Sequence, residues 1–212
     1  LTTAQALALG TQQAVGLSST QASSVEGVDL AKVTTTALKA LTTDAVANLS
    51  TDAVTSLSAA QFGALDAGQV KALTTTQAVE LGSTQTSGLT TAQTPSLEGV
   101  DLAKLSSTAL RAIGDTPFAS LSTGAVQYLS SGQFSVLTDN QVIALTTDQA
   151  VALGSGQTVG LTSSQAAVLR GVDLAKLSST ALRAITTGSF ASLSTGAVQS
   201  LSSAQVGTLK SE

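Results

Sequence analysis

The sequence predicts an all-α fold, a solenoid of very short capped helices with one helix in each octapeptide. Three observations predict it: an apolar residue recurs at every eighth position, residues typical of helix N-caps follow it, and Gln and a second apolar residue complete the unit. With the first apolar residue as position 1, the octad reads Leu-[Ser/Thr]-[Ser/Thr]-x-[Gln/Ala]-[Val/Ala/Phe/Leu]-x-x.

Position 1 sets the period. It runs from Leu1 to Leu209 without an insertion, and it is Leu in all but four octads, the others having Val or Ile. In a continuous α-helix, residues eight apart are rotated by about 80° and would occupy every face in turn. In a continuous strand, positions 1 and 6 would face opposite sides of the sheet. Each octad must therefore contain its own corner.

Positions 2 and 5 supply a helix start. Position 2 is Ser, Thr, Asp or Gly in 23 of 27 octads, and position 5 is Gln in 14 of 26. This spacing is that of a capping box, in which the two residues satisfy each other's backbone N–H groups. The pairs Thr74 with Gln77, Thr146 with Gln149 and Ser202 with Gln205 fit it.

Position 6 completes the helix. It is apolar in 23 of 26 octads, and together with position 1 it has the spacing of a hydrophobic staple, as in Leu41 with Val46, Leu129 with Phe134 and Leu193 with Val198. Each octad thus predicts a helix of about six residues. Burying two apolar side chains gives a few kcal/mol, whereas ordering eight residues costs roughly 8–16 kcal/mol. The octads must therefore stack on one another to fold.

The alternative fold is a β-solenoid. The many Thr and Val residues favour it, because both are common in strands. The Ala content and the lack of Gly or Asn at a fixed turn position favour helices instead.

A second, longer period divides the array. The segment Gly-Val-Asp-Leu-Ala-Lys occurs at 27–32, 99–104 and 171–176, so that nine octads form a higher unit. We expect one repeat array over 1–212 with units 1–72, 73–144 and 145–212, the last incomplete, and a longer parent protein. Nine octads divide evenly by three, which favours three octads in each turn of the solenoid.

Composition restricts the function. The chain has no His and no Cys, which excludes most nucleophilic and acid–base mechanisms, so we expect neither an enzyme nor a cofactor. A net charge of −4 with 10% charged residues gives no basic surface for nucleic acid. No run of about 18 apolar residues exists, so we expect no membrane insertion.

The recurrent carboxylates are the only candidate metal ligands. Asp29, Asp101 and Asp173 stand at position 5 of equivalent octads, where they would hold calcium or another cation. Each lies three residues before a lysine (Lys32, Lys104 and Lys176), and a local ion pair or cap is the more ordinary interpretation.

A basic residue recurs one octad further on. The series is Lys39, Arg111 and Arg183. Its members either mark a docking point that repeats along the array or are simply solvated surface.

Octads such as Leu145–Ala152 and Leu201–Thr208 resemble the Leu-Ser/Thr-x-x-Gln repeats of large bacterial secreted and surface proteins. The resemblance covers the whole chain and implies an extracellular or cell-surface stalk, adhesin or filament. Its partners would be further copies of itself, joined end to end or laterally, or other surface proteins. The alternative is a binding module whose Ser/Thr face recognises ice or a polysaccharide glycan; a cytosolic scaffold for a protein partner ranks third.

Overall fold

A computed structural model of the chain describes residues 3–209 and, for Thr3, only the backbone; Leu1, the first apolar position, lies outside the described residues. Within that range each octad forms one short helix, and no strand is present. The predicted all-α solenoid is confirmed, and the alternative β-solenoid is wrong. The capping residues at positions 2 and 5 outweigh the strand preference of Thr and Val.

The described residues form 25 α-helices and one 3₁₀ helix, η1, which lies between α11 and α12. Their bounds are α1 Thr3–Leu7, α2 Thr11–Val15, α3 Ser19–Ser23, α4 Gly27–Leu30, α5 Thr35–Lys39, α6 Thr43–Asn48, α7 Thr51–Thr55, α8 Ala59–Ala64, α9 Ala67–Lys71, α10 Thr75–Glu80, α11 Ser83–Ser87, η1 Thr94–Ser96, α12 Gly99–Leu102, α13 Ser107–Ala112, α14 Asp115–Ala119, α15 Thr123–Gln127, α16 Ser131–Ser135, α17 Asp139–Ala144, α18 Thr147–Ala152, α19 Ser155–Thr158, α20 Ser163–Val168, α21 Gly171–Leu174, α22 Ser179–Arg183, α23 Thr187–Ala191, α24 Thr195–Gln199 and α25 Ser203–Leu209.

The predicted capping boxes begin these helices. The Thr74 hydroxyl accepts a hydrogen bond from the Gln77 N–H at 3.3 Å, and Gln77 Oε1 accepts one from the Thr74 N–H at 2.7 Å. The pairs Thr146 with Gln149 and Ser202 with Gln205 make the same two bonds. The capping predictions are therefore confirmed at all three sites.

Helices α1 to α24 end one to three residues before the next position 1. The N–H of Leu81, for example, donates to the Ala78 carbonyl at 3.2 Å, and the backbone then turns extended. Gly82, the next position 2, stays extended and begins the following helix. The corner that the octad requires is thus made by positions 1 and 2.

Positions 1 and 6 form the core. Leu41, Val46, Leu129 and Phe134 are all at most 5% exposed, as the staple pattern predicts. Val198 departs from the pattern, since it is 39% exposed. The largest fully buried side chains, Phe62, Phe118 and Phe134, all occupy position 6.

The solenoid makes one turn every three octads. Helices three octads apart pack together, as α3 does with α6, α8 with α11, and α20 with α23. One coil therefore contains three octads, which confirms the expectation drawn from the nine-octad unit.

Glutamine side chains join successive coils. Gln77, which is 2% exposed, donates from Nε2 to the Leu49 carbonyl at 2.7 Å and to the Val46 carbonyl at 3.0 Å. A glutamine donates to the equivalent position 1 carbonyl of the coil before it in many other octads, as Gln61, Gln69, Gln85, Gln93, Gln157, Gln165 and Gln205 do. We call these glutamines the glutamine ladder. The capping box used only their Oε1 atoms, and their second role was not predicted.

The chain divides into two compact units, Leu1–Ser120 and Leu121–Glu212. In each one, helices three octads apart pack together, and ladder glutamines bond to the coil before them. The division lies inside the second predicted nine-octad unit, 73–144. No helix among residues 3–209 has the length and apolar character needed to cross a membrane.

Candidate functional site

The three recurrent aspartates are buried. Asp29, Asp101 and Asp173 lie in the four-residue helices α4, α12 and α21 and are 3%, 6% and 0% exposed. Each occupies the position that a ladder glutamine holds in other octads. An aspartate is shorter and, when ionised, only accepts hydrogen bonds. In these octads, the position 1 carbonyl of the coil before therefore needs a different hydrogen-bond donor.

In the third nine-octad unit that donor is an arginine. Arg170 Nε contacts Asp173 Oδ2 at 2.6 Å in an ion pair, and its Nη2 donates to the Leu145 carbonyl. Leu145 stands in the same place relative to Asp173 as Leu49 does to Gln77, so its carbonyl is where the target of a ladder glutamine would be. The Thr147 hydroxyl donates to Asp173 Oδ1 at 3.3 Å. The guanidinium thus neutralises the carboxylate and replaces the missing amide.

In the second nine-octad unit, Glu98 occupies the position that Arg170 occupies in the third nine-octad unit. The carboxylate oxygen Oδ1 of Asp101 is buried and has no hydrogen-bond partner. Burial raises the pKa of the Asp101 carboxyl; the nearby Thr75 hydroxyl opposes this by hydrogen bonding, and the negative charge of Glu98 adds to it. Among the described residues, no side chain donates to the carbonyl of Leu73, the equivalent of Leu145. The site lacks the positive charge of the third unit.

The first unit has the same acidic pair, Glu26 and Asp29. The residues equivalent to Leu73 and Thr75 are Leu1, which lies outside the described residues, and Thr3, of which only the backbone is described. The carbonyl and the threonine side chain next to the aspartate are therefore both described only for Asp101 and Asp173.

Ion pairing with the following lysine does not occur around Asp101 or Asp173. Lys104 and Lys176 are exposed, and the ion pair of Asp173 is with Arg170, three residues before it. Within residues 3–209, no group of three or more His, Cys, Asp or Glu side chains is placed to hold a metal ion. The three aspartates are separate sites in successive nine-octad units.

The basic series lies on the surface. Lys39, Arg111 and Arg183 are exposed in the last turns of α5, α13 and α22, where a cation complements the helix dipole. Lys39 and Arg183 each line an open groove together with Ser or Thr side chains.

In the first coil, which contains α2 and α3, two glutamine side chains are exposed whose equivalents in later coils are buried. Gln13 and Gln21 are exposed and accept hydrogen bonds from their N-cap residues, but their Nε2 atoms donate to no other described residue. Their equivalents one nine-octad period later, Gln85 and Gln93, are 3% and 1% exposed and donate to the coil below. Within the described residues, the Nε2 donors of Gln13 and Gln21 are therefore unused.

A glycine at the end of α11 lies tightly against the coil before it. A Cβ on Gly88 would lie 2.1 Å from the Ala59 carbonyl oxygen, and one on the equivalent Gly160 would lie 2.1 Å from that of Ser131. Gly16 is the third equivalent glycine. A Cβ on it would contact only atoms of its own octad, the nearest being the Gln12 carbonyl oxygen at 3.6 Å. Gly16 thus has the shape required for a coil that the described chain does not place against it. We call Gln13, Gly16 and Gln21 the leading face.

No protein-family model matches the sequence, and no curated protein matches it either.

Proposed function

We propose that the chain is a structural repeat region of a bacterial cell-surface or extracellular fibre or adhesin protein, acting as a stalk or as a self-assembling filament. The observation that carries the proposal is the glutamine ladder. A ladder glutamine both caps its own helix and bonds to the coil before it, as Gln77 does. Coils of this kind can be added without changing the contacts of those already present.

The leading face supports the filament version. Gln13 is equivalent to Gln85, and Leu201 is equivalent to Leu57, whose carbonyl accepts the Gln85 amide. A second copy stacked end to end in the same register would therefore place its Gln13 over Leu201. Ser203 is likewise equivalent to Ser131, which receives Gly160, and would receive Gly16. In the filament version the partner of this face is another copy of the chain, whereas within a longer parent protein it is the preceding coil.

Sedimentation and electron microscopy of the purified chain test this version. We expect end-to-end oligomers whose length grows with concentration. Gly16→Phe should block them by filling the leading face, whereas the matched Gly188→Phe should not, because nothing lies within 4 Å of a Cβ at Gly188. If the chain stays monomeric at every concentration, or if both variants behave alike, the filament version is wrong.

The cellular location needs its own test. Antibodies raised against the chain should label intact, unpermeabilised cells of the source organism or the material that they shed. Labelling that appears only after the cells are opened would refute the surface proposal and would favour an internal scaffold.

A second candidate function is a glycan- or ice-binding face. In the second compact unit, Ser131, Ser155, Ser179 and Ser203 occupy position 3 of every third octad, and all four are exposed. Such a row presents one hydroxyl group on each coil, about 8–10 Å from the next. Binding of the chain to a polysaccharide array, lost when these serines become alanine, would favour this function over the structural one.

A further inference from the structure

The carboxylate of Asp101 is an unexplained feature of the fold. The residue is 6% exposed, yet its Oδ1 accepts no hydrogen bond. The Thr75 hydroxyl bonds to this carboxyl group but leaves Oδ1 without a partner. A buried carboxylate oxygen without a donor is costly when the group is ionised, and such oxygens are normally paired with a cation or hydrogen-bonded. Neither Lys104 nor any other basic side chain forms an ion pair with it in the described chain. A cation beside Oδ1 would supply the missing partner.

The third unit shows where that group belongs. There the Arg170 guanidinium lies between the Asp173 carboxylate and the Leu145 carbonyl and bonds to both. In the second unit the corresponding oxygens belong to Asp101 and Leu73, and Glu98 replaces the arginine. Glu98 brings a further carboxylate, whose charge reaches Asp101. The exchange removes one positive charge and adds one negative charge at the same place.

We propose that the second unit binds a calcium ion at this place, with oxygen ligands from Asp101, Glu98 and the Leu73 carbonyl and with water completing its shell. Calcium prefers such a set of carboxylate, carbonyl and water oxygens. Two carboxylates balance the charge of a divalent ion, as Arg170 balances Asp173. With Glu98 exposed, only part of the ligand shell is supplied by the protein, which places the expected Kd at about 10⁻⁴ to 10⁻³ M, in the range of extracellular calcium modules.

This inference is independent of the proposed structural function, since a stalk or filament does not require the ion. To test it, calcium is titrated into the chelator-treated full chain, and the chemical shifts of the backbone amides are measured by NMR at each step. We expect saturable shifts at residues 73–75 and 98–101 and none at 170–173, where the arginine takes the place of the ion. Magnesium and sodium at matched ionic strength should bind at least tenfold more weakly.

Two reciprocal variants make the test specific. Glu98→Arg copies the third unit, so it should abolish the response at 98–101 while leaving the chain folded. Arg170→Glu copies the second unit and should create a response at 170–173. Asp101→Asn should also abolish the response at 98–101.

Several results would overturn the proposal. One is the absence of a saturable response at 98–101 in the wild-type chain, and another is a response that survives Asp101→Asn or Glu98→Arg. Equal binding of magnesium or sodium would also overturn it. So would a carboxyl group at Asp101 that stays protonated at neutral pH when calcium is present.

Discussion

Replacing Gln85 by alanine removes one rung of the glutamine ladder. Gln85 donates from Nε2 to the Thr55 carbonyl at 2.8 Å and to the Leu57 carbonyl at 2.6 Å, and its Oε1 accepts from the Gly82 N–H at 3.1 Å. Leu57 is 2% exposed, so water cannot readily replace the lost donor at its carbonyl. The substitution therefore removes both a cap within the octad and the bonds between coils.

The chain contains a matched control for this change. Gln13 lies one nine-octad period earlier and also caps a glycine, its Oε1 accepting from the Gly10 N–H at 3.2 Å. It is exposed, and its Nε2 bonds to no other described residue. Gln13→Ala thus removes the same cap without removing a bond between coils.

The expected magnitudes follow from the bonds lost. Each of the two carbonyl bonds contributes about 1 kcal/mol, and a buried carbonyl left without a donor costs about 1–3 kcal/mol. Gln85→Ala should therefore lower the free energy of unfolding by about 2–4 kcal/mol. Gln13→Ala should lower it by about 0.5 kcal/mol or less, the contribution of one exposed bond.

Urea denaturation followed by circular dichroism at 222 nm measures both changes. Because stacked repeats can open locally, hydrogen exchange of the amides in residues 81–88 should accompany it. Gln85→Glu is the more demanding variant, because it keeps the acceptor for the Gly82 N–H but, when ionised, cannot donate. It should be at least as destabilising as Gln85→Ala at pH 7. If Gln85→Ala and Gln13→Ala shift the urea midpoint equally, the ladder does not stabilise the stack of coils.

Three further predictions concern single positions. Gly88→Ala should destabilise the chain by about 1–3 kcal/mol through overpacking. Gly188→Ala should stabilise it by about 0.5–1 kcal/mol, because nothing lies within 4 Å of a Cβ at Gly188. Thermal denaturation measures both changes. Thr94→Ala should raise stability in the same assay, because the buried Thr94 hydroxyl has no partner and the equivalent residue in the third unit is Ala166. In chelated buffer, the free energy of unfolding should fall as the pH rises from near 3.8 through the raised pKa of Asp101 in the folded state, because the folded state holds that proton more tightly. Urea midpoints measured at several pH values should show this slope, and Asp101→Asn should remove it.

Sequence periodicity was sufficient to predict the helices. The eight-residue spacing of Leu requires a corner in each octad, and the capping residues place it, as Thr74 and Gln77 show. The nine-octad repeat also predicted three octads for each coil, which the packing of α8 against α11 confirms. These features are local or strictly periodic, so the chain itself records them.

Contacts between coils were harder to predict, because they join octads that are distant in the chain and share no local pattern. Arg170, for example, pairs with the buried Asp173 and also bonds to the Leu145 carbonyl in the coil before it. A lysine three residues further on, Lys176, had the right spacing for a helical ion pair. It lies on the exposed surface instead, while the aspartate faces the neighbouring coil.

One signal in the sequence did distinguish the ladder from simple capping. A capping box accepts Glu or Gln at its last position, because only an acceptor oxygen is needed there. Position 5 is Gln in 14 of 26 octads and is never Glu. Only the amide can also donate, as Gln77 does to Val46 and Leu49. The bias therefore implied a carbonyl partner outside the octad, and in the aspartate octad of the third nine-octad unit Arg170 donates to that carbonyl instead.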